Sequence, residues 1–202
     1  MPESLLVECK LLHTIYACDT KISGPIPAGI GNLTQMQKLW LQMTQISGPI
    51  PPIIGNCAQL RHLFLFNTKI SGPIPASIGN CTQLRALMLY NTQISGPIPD
   101  SIGNCTQLNT LSLFKTEISG TIPESIDNCT QLSKLRLDFT QISGDIPSNI
   151  TQLTQLWSVA LDSTKVVRPG AAANNQMSAE NDPDGVEKYL KMFENYGRIN
   201  NL

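Results

Sequence analysis

No stretch of this chain approaches the ~20 consecutive apolar residues that cross a bilayer, and the opening MPESLLVECK lacks a basic segment followed by a long apolar one. The sequence thus predicts no membrane span and no secretion signal, and with them a cytoplasmic location. Secretion or display at a cell surface is the alternative if the chain is a fragment of a longer one. An excess of charge of one sign is missing too. Fourteen Lys plus Arg face fifteen Asp plus Glu in 202 residues, a formal charge of -1. The electrostatic pull toward phosphate that nucleic-acid binding relies on is absent, so no nucleic-acid partner is expected. The two histidines, His13 and His62, occupy different positions of the pattern described below, and six cysteines are too few for a disulfide-dense scaffold. A metal site would need these groups to converge. Paired carboxylates at recurring positions, a Gly-rich phosphate loop and a G-x-S-x-G elbow are all lacking, which leaves no nucleophile with a base or an orienting partner. Neither catalysis nor a cofactor is expected.

A strict repeat is what the chain does have. Ile22, Ile46, Ile70, Ile94, Ile118 and Ile142 each open a block of 24 residues reading I-S-G-x-I-P-x-x-I-x-x-[CL]-x-Q-[LM]-x-x-[LV]-x-L-x-x-T-x, with Ala58 among the few departures. A half block precedes them, since Cys9, Leu12, Ile15, Ala17 and Thr20 fall in the register of Cys81, Leu84, Leu87, Leu89 and Thr92. Neither a long helical period nor a long alternation fits the apolar positions of one block. A coil of a superhelix does, sending about seven side chains per turn toward one axis, about forty in all over six turns. The stretch around Leu87, Met88 and Leu89 alternates in, out, in, as a half-buried strand does. No coil buries its apolar side chains alone, so the fold has to form by stacking.

The block resembles the leucine-rich repeat, most closely its plant-type subclass LxGxIPxxIGxLxxLxxLxLxxNx, over residues 9 to 165. The resemblance implies an α/β solenoid: a right-handed superhelix with a parallel concave sheet of about seven short strands, a second short strand near the ISG segment, and irregular or 3₁₀ turns on the convex side. One difference is systematic. Thr stands at 20, 44, 68, 92, 116, 140 and 164, where the plant-type pattern has Asn. In the family that Asn bonds backbone groups of adjacent turns, and a Thr hydroxyl does only part of that. In this respect the repeats look like those of some protozoan surface antigens.

Cys57, Cys81, Cys105 and Cys129 share one column with Leu33 and Leu153 at its ends. Interchange with Leu marks a core position and a ladder of buried thiols that packs as small hydrophobes. Cys18 falls on an outward position and is a candidate reactive thiol. Asn32, Asn80, Asn104, Asn128 and Asn149 each begin an N-x-T sequon. They are glycan acceptors if the protein is secreted, and otherwise a triplet copied with the repeat.

Comparing the copies with one another separates fixed positions from free ones, and the free ones lie on the concave strand. Outward sites there hold Tyr16, Trp40, Met43, Phe64, Phe66, Met88, Tyr90, Phe114 and Phe139, and Arg136 beside them. Seven of the eleven aromatic residues are in that set. With strands ~4.8 Å apart the rings should form an exposed band, flanked by His62, Asn67, Asn91, Lys115, Lys134, Asp138 and Asp162. Asp138 and Arg136 read as an exposed ion pair. Aromatic and Met side chains within a polar rim are what protein interfaces select. The opposing explanation is that the rings stack across strands and merely stabilise the sheet.

Three segments follow: a partial N-terminal repeat over 1–21, six 24-residue repeats over 22–165, and a linker with a C-terminal capping helix over 166–202. In the last, Asp182 suits a cap, Pro183 the first helical position, and Val186, Tyr189, Leu190 and Phe193 recur at helical spacing before Gly197. That helix covers the last coil or docks onto a partner. The functional expectation is a non-enzymatic scaffold that binds a protein or peptide on its concave aromatic face, with oligomeric state left open. The alternatives are an extracellular recognition or adhesion domain, glycan-bearing if the sequons are used, and a structural protein that binds ice through convex Thr rows.

Overall fold

A computed structural model of the chain describes Cys9 and residues 11–167. The C-terminal helix expected within 166–202 falls outside them. The described residues wind through two parallel sheets of seven strands each. The first contains β1 (Thr14–Tyr16), β3 (Lys38–Trp40), β5 (His62–Phe64), β7 (Ala86–Met88), β9 (Thr110–Ser112), β11 (Lys134–Arg136) and β13 (Ser158–Ala160). The second contains β2 (Ser23–Gly24), β4 (Gln45–Gly48), β6 (Lys69–Pro73), β8 (Gln93–Gly96), β10 (Glu117–Gly120), β12 (Gln141–Asp145) and β14 (Lys165–Val167). Each strand pairs with its counterpart one coil away. Leu63, for example, lies between Leu39 and Leu87 in the ladder. This is the solenoid that the repeat implies, with the first sheet along the concave side.

The convex side consists of 3₁₀ turns, at Ala28–Asn32, Pro52–Asn56, Ala76–Asn80, Asp100–Asn104, Glu124–Asn128 and Ser148–Gln152. Proline sets their start. Its ring holds Pro99 at φ -69, and with ψ at 141 its carbonyl accepts the N–H of Ile102 at 2.9 Å. The Ile102 carbonyl then accepts from Cys105 at 3.0 Å, and the Cys105 carbonyl from Leu108 at 2.8 Å. Bonds that span three residues wind the chain at three residues per turn, so side chains three apart share a face. Ile102, Cys105 and Leu108 are accordingly all fully buried, and Leu111 joins them from the inward face of β9. With Leu113, Ile118 and Ile122 they form that coil's share of a core running unbroken from Ile15 to Leu161.

Close approach between coils decides one glycine column, and backbone conformation decides another. A Cβ on Gly103 would collide with the Ser125 carbonyl oxygen of the next coil, and one on Gly79 with that of Ser101. The Ser side chains fill that join and return a bond, Ser125 Oγ donating to the Asp100 carbonyl at 2.6 Å and Ser101 Oγ to that of Ala76 at 2.6 Å. Asp127 breaks the pattern where the earlier coils have Gly. One of its carboxylate oxygens is buried without a partner, and burial together with Glu124 raises its pKa against an opposing hydrogen bond from Asn149. In the other column, Gly96 stands at φ 75, in the left-handed region where a Cβ is strained.

The Thr column works within its own coil. The Thr92 hydroxyl donates to the Leu89 carbonyl at 2.6 Å and lies 3.5 Å from the Ile94 N–H. Thr44, Thr68, Thr116 and Thr140 repeat the first bond at 2.6 to 2.7 Å. This hydroxyl closes the left-handed turn that reverses the chain after each concave strand. Adjacent coils are tied there by backbone instead: Asn67 N–H donates to the Tyr90 carbonyl at 3.1 Å and Asn91 N–H to that of Phe114 at 3.0 Å.

The cysteine column is buried as expected. Cys57, Cys81, Cys105 and Cys129 are free and fully enclosed. Each thiol donates to a carbonyl of the preceding coil, that of Ile30, Ile54, Ile78 or Ile102, at 3.4 to 3.5 Å. Burial pushes Cys57 and Cys105 up to about 11, and Cys81 and Cys129 to about 12.

Candidate functional site on the concave face

Strand pleating divides the outward side chains of the concave sheet into columns. The third position of each strand holds Tyr16, Trp40, Phe64, Met88, Ser112, Arg136 and Ala160, and two residues further on stand Cys18, Gln42, Phe66, Tyr90, Phe114, Asp138 and Asp162. The parallel register sets Tyr16 beside Trp40 and Trp40 beside Phe64. Tyr16 meets Trp40 edge-on at 4.8 Å between centroids, and Trp40 stacks on Phe64 at 5.0 Å. There the first column's aromatics end at Met88. The stack changes column within one coil, through Phe64 and Phe66 at 6.3 Å, and continues as Phe66 on Tyr90 and Tyr90 on Phe114, each at 4.4 Å. The Arg136 guanidinium closes the row, 4.0 Å above Phe114.

The stack revises the expected exposed band. Tyr16 is 56% exposed, but Trp40, Phe64, Phe66, Tyr90 and Phe114 are half-buried, because each covers part of the next. Both expectations for the rings therefore describe one object, a cross-strand stack whose upper edges face the hollow. Burial raises the Tyr90 pKa and the nearby Arg136 partly offsets this. Two further site residues are displaced from the pleat. Met43 and Phe139 stand in the left-handed turn after the strand, at φ 59 and 56, in the same column as Asn67 and Asn91. Both are about half exposed. The expected exposed pair is also corrected: Arg136 grips Asp138 in bidentate fashion, Nε to Oδ1 at 3.2 Å and Nη2 to Oδ2 at 2.9 Å, with Asp138 itself only 4% exposed. The lid that the guanidinium forms over the carboxylate and the Phe114 ring removes it from water.

Sequence reasoning missed the column just ahead of the strands. Trp157 is 62% exposed there, with the Lys134 ammonium 4.7 Å over its ring. Trp157 precedes β13, so the alternation that picked the other rings did not reach it. The same column holds Arg61 and Arg85 on adjacent coils, the Arg85 N–H donating to the Arg61 carbonyl at 2.8 Å. Beside them a cleft of about 360 Å³ opens, lined by His62, Arg85, Ala86, Gln107, Asn109 and Gln131. Burial, and behind it the charges of Lys38, Arg85 and Arg61, hold the His62 imidazole below its ordinary value. On the opposite side of the solenoid all five sequon asparagines, Asn32, Asn80, Asn104, Asn128 and Asn149, are exposed.

Known proteins agree with this architecture. A family model described as a leucine-rich repeat region matches residues 74–169, and another, Leucine Rich Repeat, matches residues 59–81. The chain is a leucine-rich-repeat protein. Among solved structures it is similar to the plant peptide hormone receptor RGFR1 in complex with RGF2, at 32% identity and a TM-score of 0.79, over 82% of this chain and 26% of that one. It is also similar to the ectodomain of the Arabidopsis receptor kinase HAESA in complex with an N-terminally extended IDA peptide hormone, at 33% identity and a TM-score of 0.77, over 82% of this chain and 28% of that one. A third is the ectodomain of the plant membrane receptor kinase GASSHO1/SCHENGEN3 from Arabidopsis thaliana in complex with CASPARIAN STRIP INTEGRITY FACTOR 2, at 31% identity and a TM-score of 0.76, over 81% and 20%. The chain thus spans between a fifth and about three tenths of the length of these receptors. No curated protein sequence matches it.

These structures overturn the cytoplasmic expectation. Two of the three are ectodomains of plant receptors, which points to the extracellular side or the cell surface instead. The cytoplasmic expectation drew on the composition of the opening MPESLLVECK, whereas the coils of the repeat carry no information about location. Among the described residues no helix is long and apolar enough to cross a membrane.

Proposed function

We propose that this protein is a non-enzymatic recognition module of the extracellular space or cell surface, which binds a peptide or protein ligand on its concave face. The single observation that supports this most is the ring stack from Tyr16 to Phe114, capped by Arg136. Rings locked in a stack have already lost much of their rotamer freedom, so a ligand laid across them costs little further ordering. Met43, Met88 and Phe139 lie along the margins and add adaptable apolar area. The similar receptors bind peptide hormones, which favours a peptide as the class of ligand. The five exposed sequons support the extracellular side of the reading, because each presents its Asn on the convex surface, away from the stack.

The test compares the wild-type chain with a variant carrying Trp40→Ser, Phe64→Ser, Tyr90→Ser and Phe114→Ser, both immobilised and exposed to the peptides secreted by the native source. Specific retention is expected on the wild type and is absent from the variant, with circular dichroism showing that the strands remain. Equal retention by both would assign ligand contact to another surface.

A further inference from the structure

The concave face is polarised across its strands. The column at the first strand position and the one just before it, from His13 to Ser158, contain Lys38, Arg61, His62, Arg85 and Lys134 and no carboxylate at all. Past the other end of the strands stand Asp19, Asp138 and Asp162 with a single cation, Lys115, among them, while Asp100, Glu117, Glu124, Asp127 and Asp145 belong to the 3₁₀ turns and the second sheet. The ion pair of Arg136 with Asp138 neutralises none of the five. Lys38 instead donates to the Tyr16 hydroxyl at 3.3 Å and stands 5.8 Å from the Trp40 ring. Like charges on neighbouring coils ~5 Å apart repel, and they persist most readily where an anion relieves them.

The cleft lies within this margin. Lys38, His62 and Ala86 occupy one register position on three successive strands, and the single methyl of Ala86 opens the floor between the larger side chains on either side. Around that floor stand the guanidinium of Arg85, the imidazole of His62, and the amides of Gln107, Asn109 and Gln131. Every lining group except the methyl carries N–H donors, and none is an obligatory acceptor. The cleft also adjoins the ring stack, since the His62 imidazole meets Trp40 edge-on at 6.5 Å and Phe64 at 5.7 Å.

We infer that the cleft over Ala86 takes the carboxylate side chains of an acidic peptide segment, while the neighbouring apolar residues of the same segment lie on Trp40 and Phe64. This rests on the concave-face reading above and adds the charge of the ligand to it. A guanidinium and side-chain amides lining one opening suit a carboxylate better than a neutral amide, because charge-assisted bonds are about twice as strong. The polarity also fixes which edge of the sheet the acidic residues face, the one where each strand begins.

The test uses the full chain and three rhodamine-labelled, end-capped probe peptides: alternating Leu and Glu, the same with Gln for Glu, and the same with phosphoserine for Glu. Fluorescence polarisation at low salt should give the Glu probe at least about tenfold tighter binding than the Gln probe. Arg61→Gln combined with Arg85→Gln should bring the Glu probe to the affinity of the Gln probe, whose own affinity stays unchanged. Phe64→Ser should weaken both. Equal binding of the Glu and Gln probes, both lost with Phe64→Ser, would overturn the acidic preference and leave the concave-face reading standing. No binding of the Glu probe, or binding indifferent to the two arginines, would also overturn it. A phosphoserine probe that binds while the Glu probe does not would reassign the cleft to phosphate.

Discussion

Phe66 and Tyr90, one coil apart, stack with their ring centroids 4.4 Å from each other and their planes only 11° from parallel. Their registration comes from the 24-residue period itself, which delivers equivalent positions to adjacent coils at the spacing of a parallel ladder. Tyr90 repeats the contact with Phe114, so one side chain holds two stacks. Each is worth about 0.5 to 1.5 kcal/mol beyond area burial. Tyr90→Ala should therefore cost about 2 kcal/mol in urea unfolding, whereas Trp157→Ala, at a largely exposed ring, costs about 1 kcal/mol or less. Equal costs would mean that the stack contributes nothing beyond the area that it buries.

The left-handed column carries avoidable strain. Asp19, Met43, Asn67, Asn91, Lys115, Phe139 and Ser163 all stand at φ between 53 and 59. Asn tolerates that conformation, and here the Asn91 amide also donates to Asn67 Oδ1 at 2.7 Å. Met43→Asn and Lys115→Asn should each raise the thermal midpoint and stabilise the fold by about 0.5 to 1 kcal/mol. Asn91→Phe should do the reverse, losing the side-chain bond as well.

The thiol ladder has a signature in alkali. Burial holds its four members at about 11 to 12, against an ordinary 9.0. Raised folded-state values mean that the native state keeps protons which the unfolded chain gives up. Stability is fully present below pH 9, declines as pH rises past it, and is lost through about 11 to 12. Unfolding curves measured against pH should show that slope, and a Cys81→Ala, Cys105→Ala double variant should flatten it. Ellman's reagent should label Cys9 and Cys18 in the native chain and reach the buried four only in denaturant.

His62 titrates in the opposite sense. Its pKa is lowered, so the folded state prefers the neutral ring and stability falls as pH drops below 6.5. Removing a neighbouring cation with Arg85→Gln should raise the imidazole midpoint, and so should added salt, both measured on the ring proton resonances by NMR. A midpoint indifferent to both would place desolvation alone behind the shift.

The join between coils is tested by one methyl group. Gly103→Ala places a carbon against the Ser125 carbonyl, and overpacking of this kind costs about 1 to 3 kcal/mol. Asp127 shows that the join to the following coil already accepts a side chain at the equivalent place. Asp127→Gly should therefore be neutral or stabilising, and it removes the buried carboxylate oxygen that has no partner. A thermal melt of the two variants decides between them.

The repeat was legible in the sequence because stacking makes it so. A coil that can bury its side chains only against copies of itself imposes one pattern on every copy, and the column of Ile102, Cys105, Leu108 and Leu111 returns in each. The same pattern yielded the outward strand positions, and with them Trp40, Phe64, Phe66, Tyr90 and Phe114. It could not separate a pleat from the turn that follows, so Met43 and Phe139 were placed on the strand face, and Trp157 was overlooked one residue before it. Location is not written in the core columns of the coils, and the similarity to receptor ectodomains points to the extracellular side or the cell surface.

Determined by the sequence alone, then, were the period, the core columns and the thiol ladder, since each follows from residue types recurring at fixed intervals, while the parallel sheets were implied by the resemblance to leucine-rich repeats. Decided only by the tertiary structure were the passage of the ring stack from one column to the next at Phe64 and Phe66, the closure of Asp138 beneath Arg136, and the opening over Ala86. These depend on what side chains from different coils do to one another across ~5 Å. A one-dimensional pattern holds the spacing of such neighbours but not the direction in which each side chain turns.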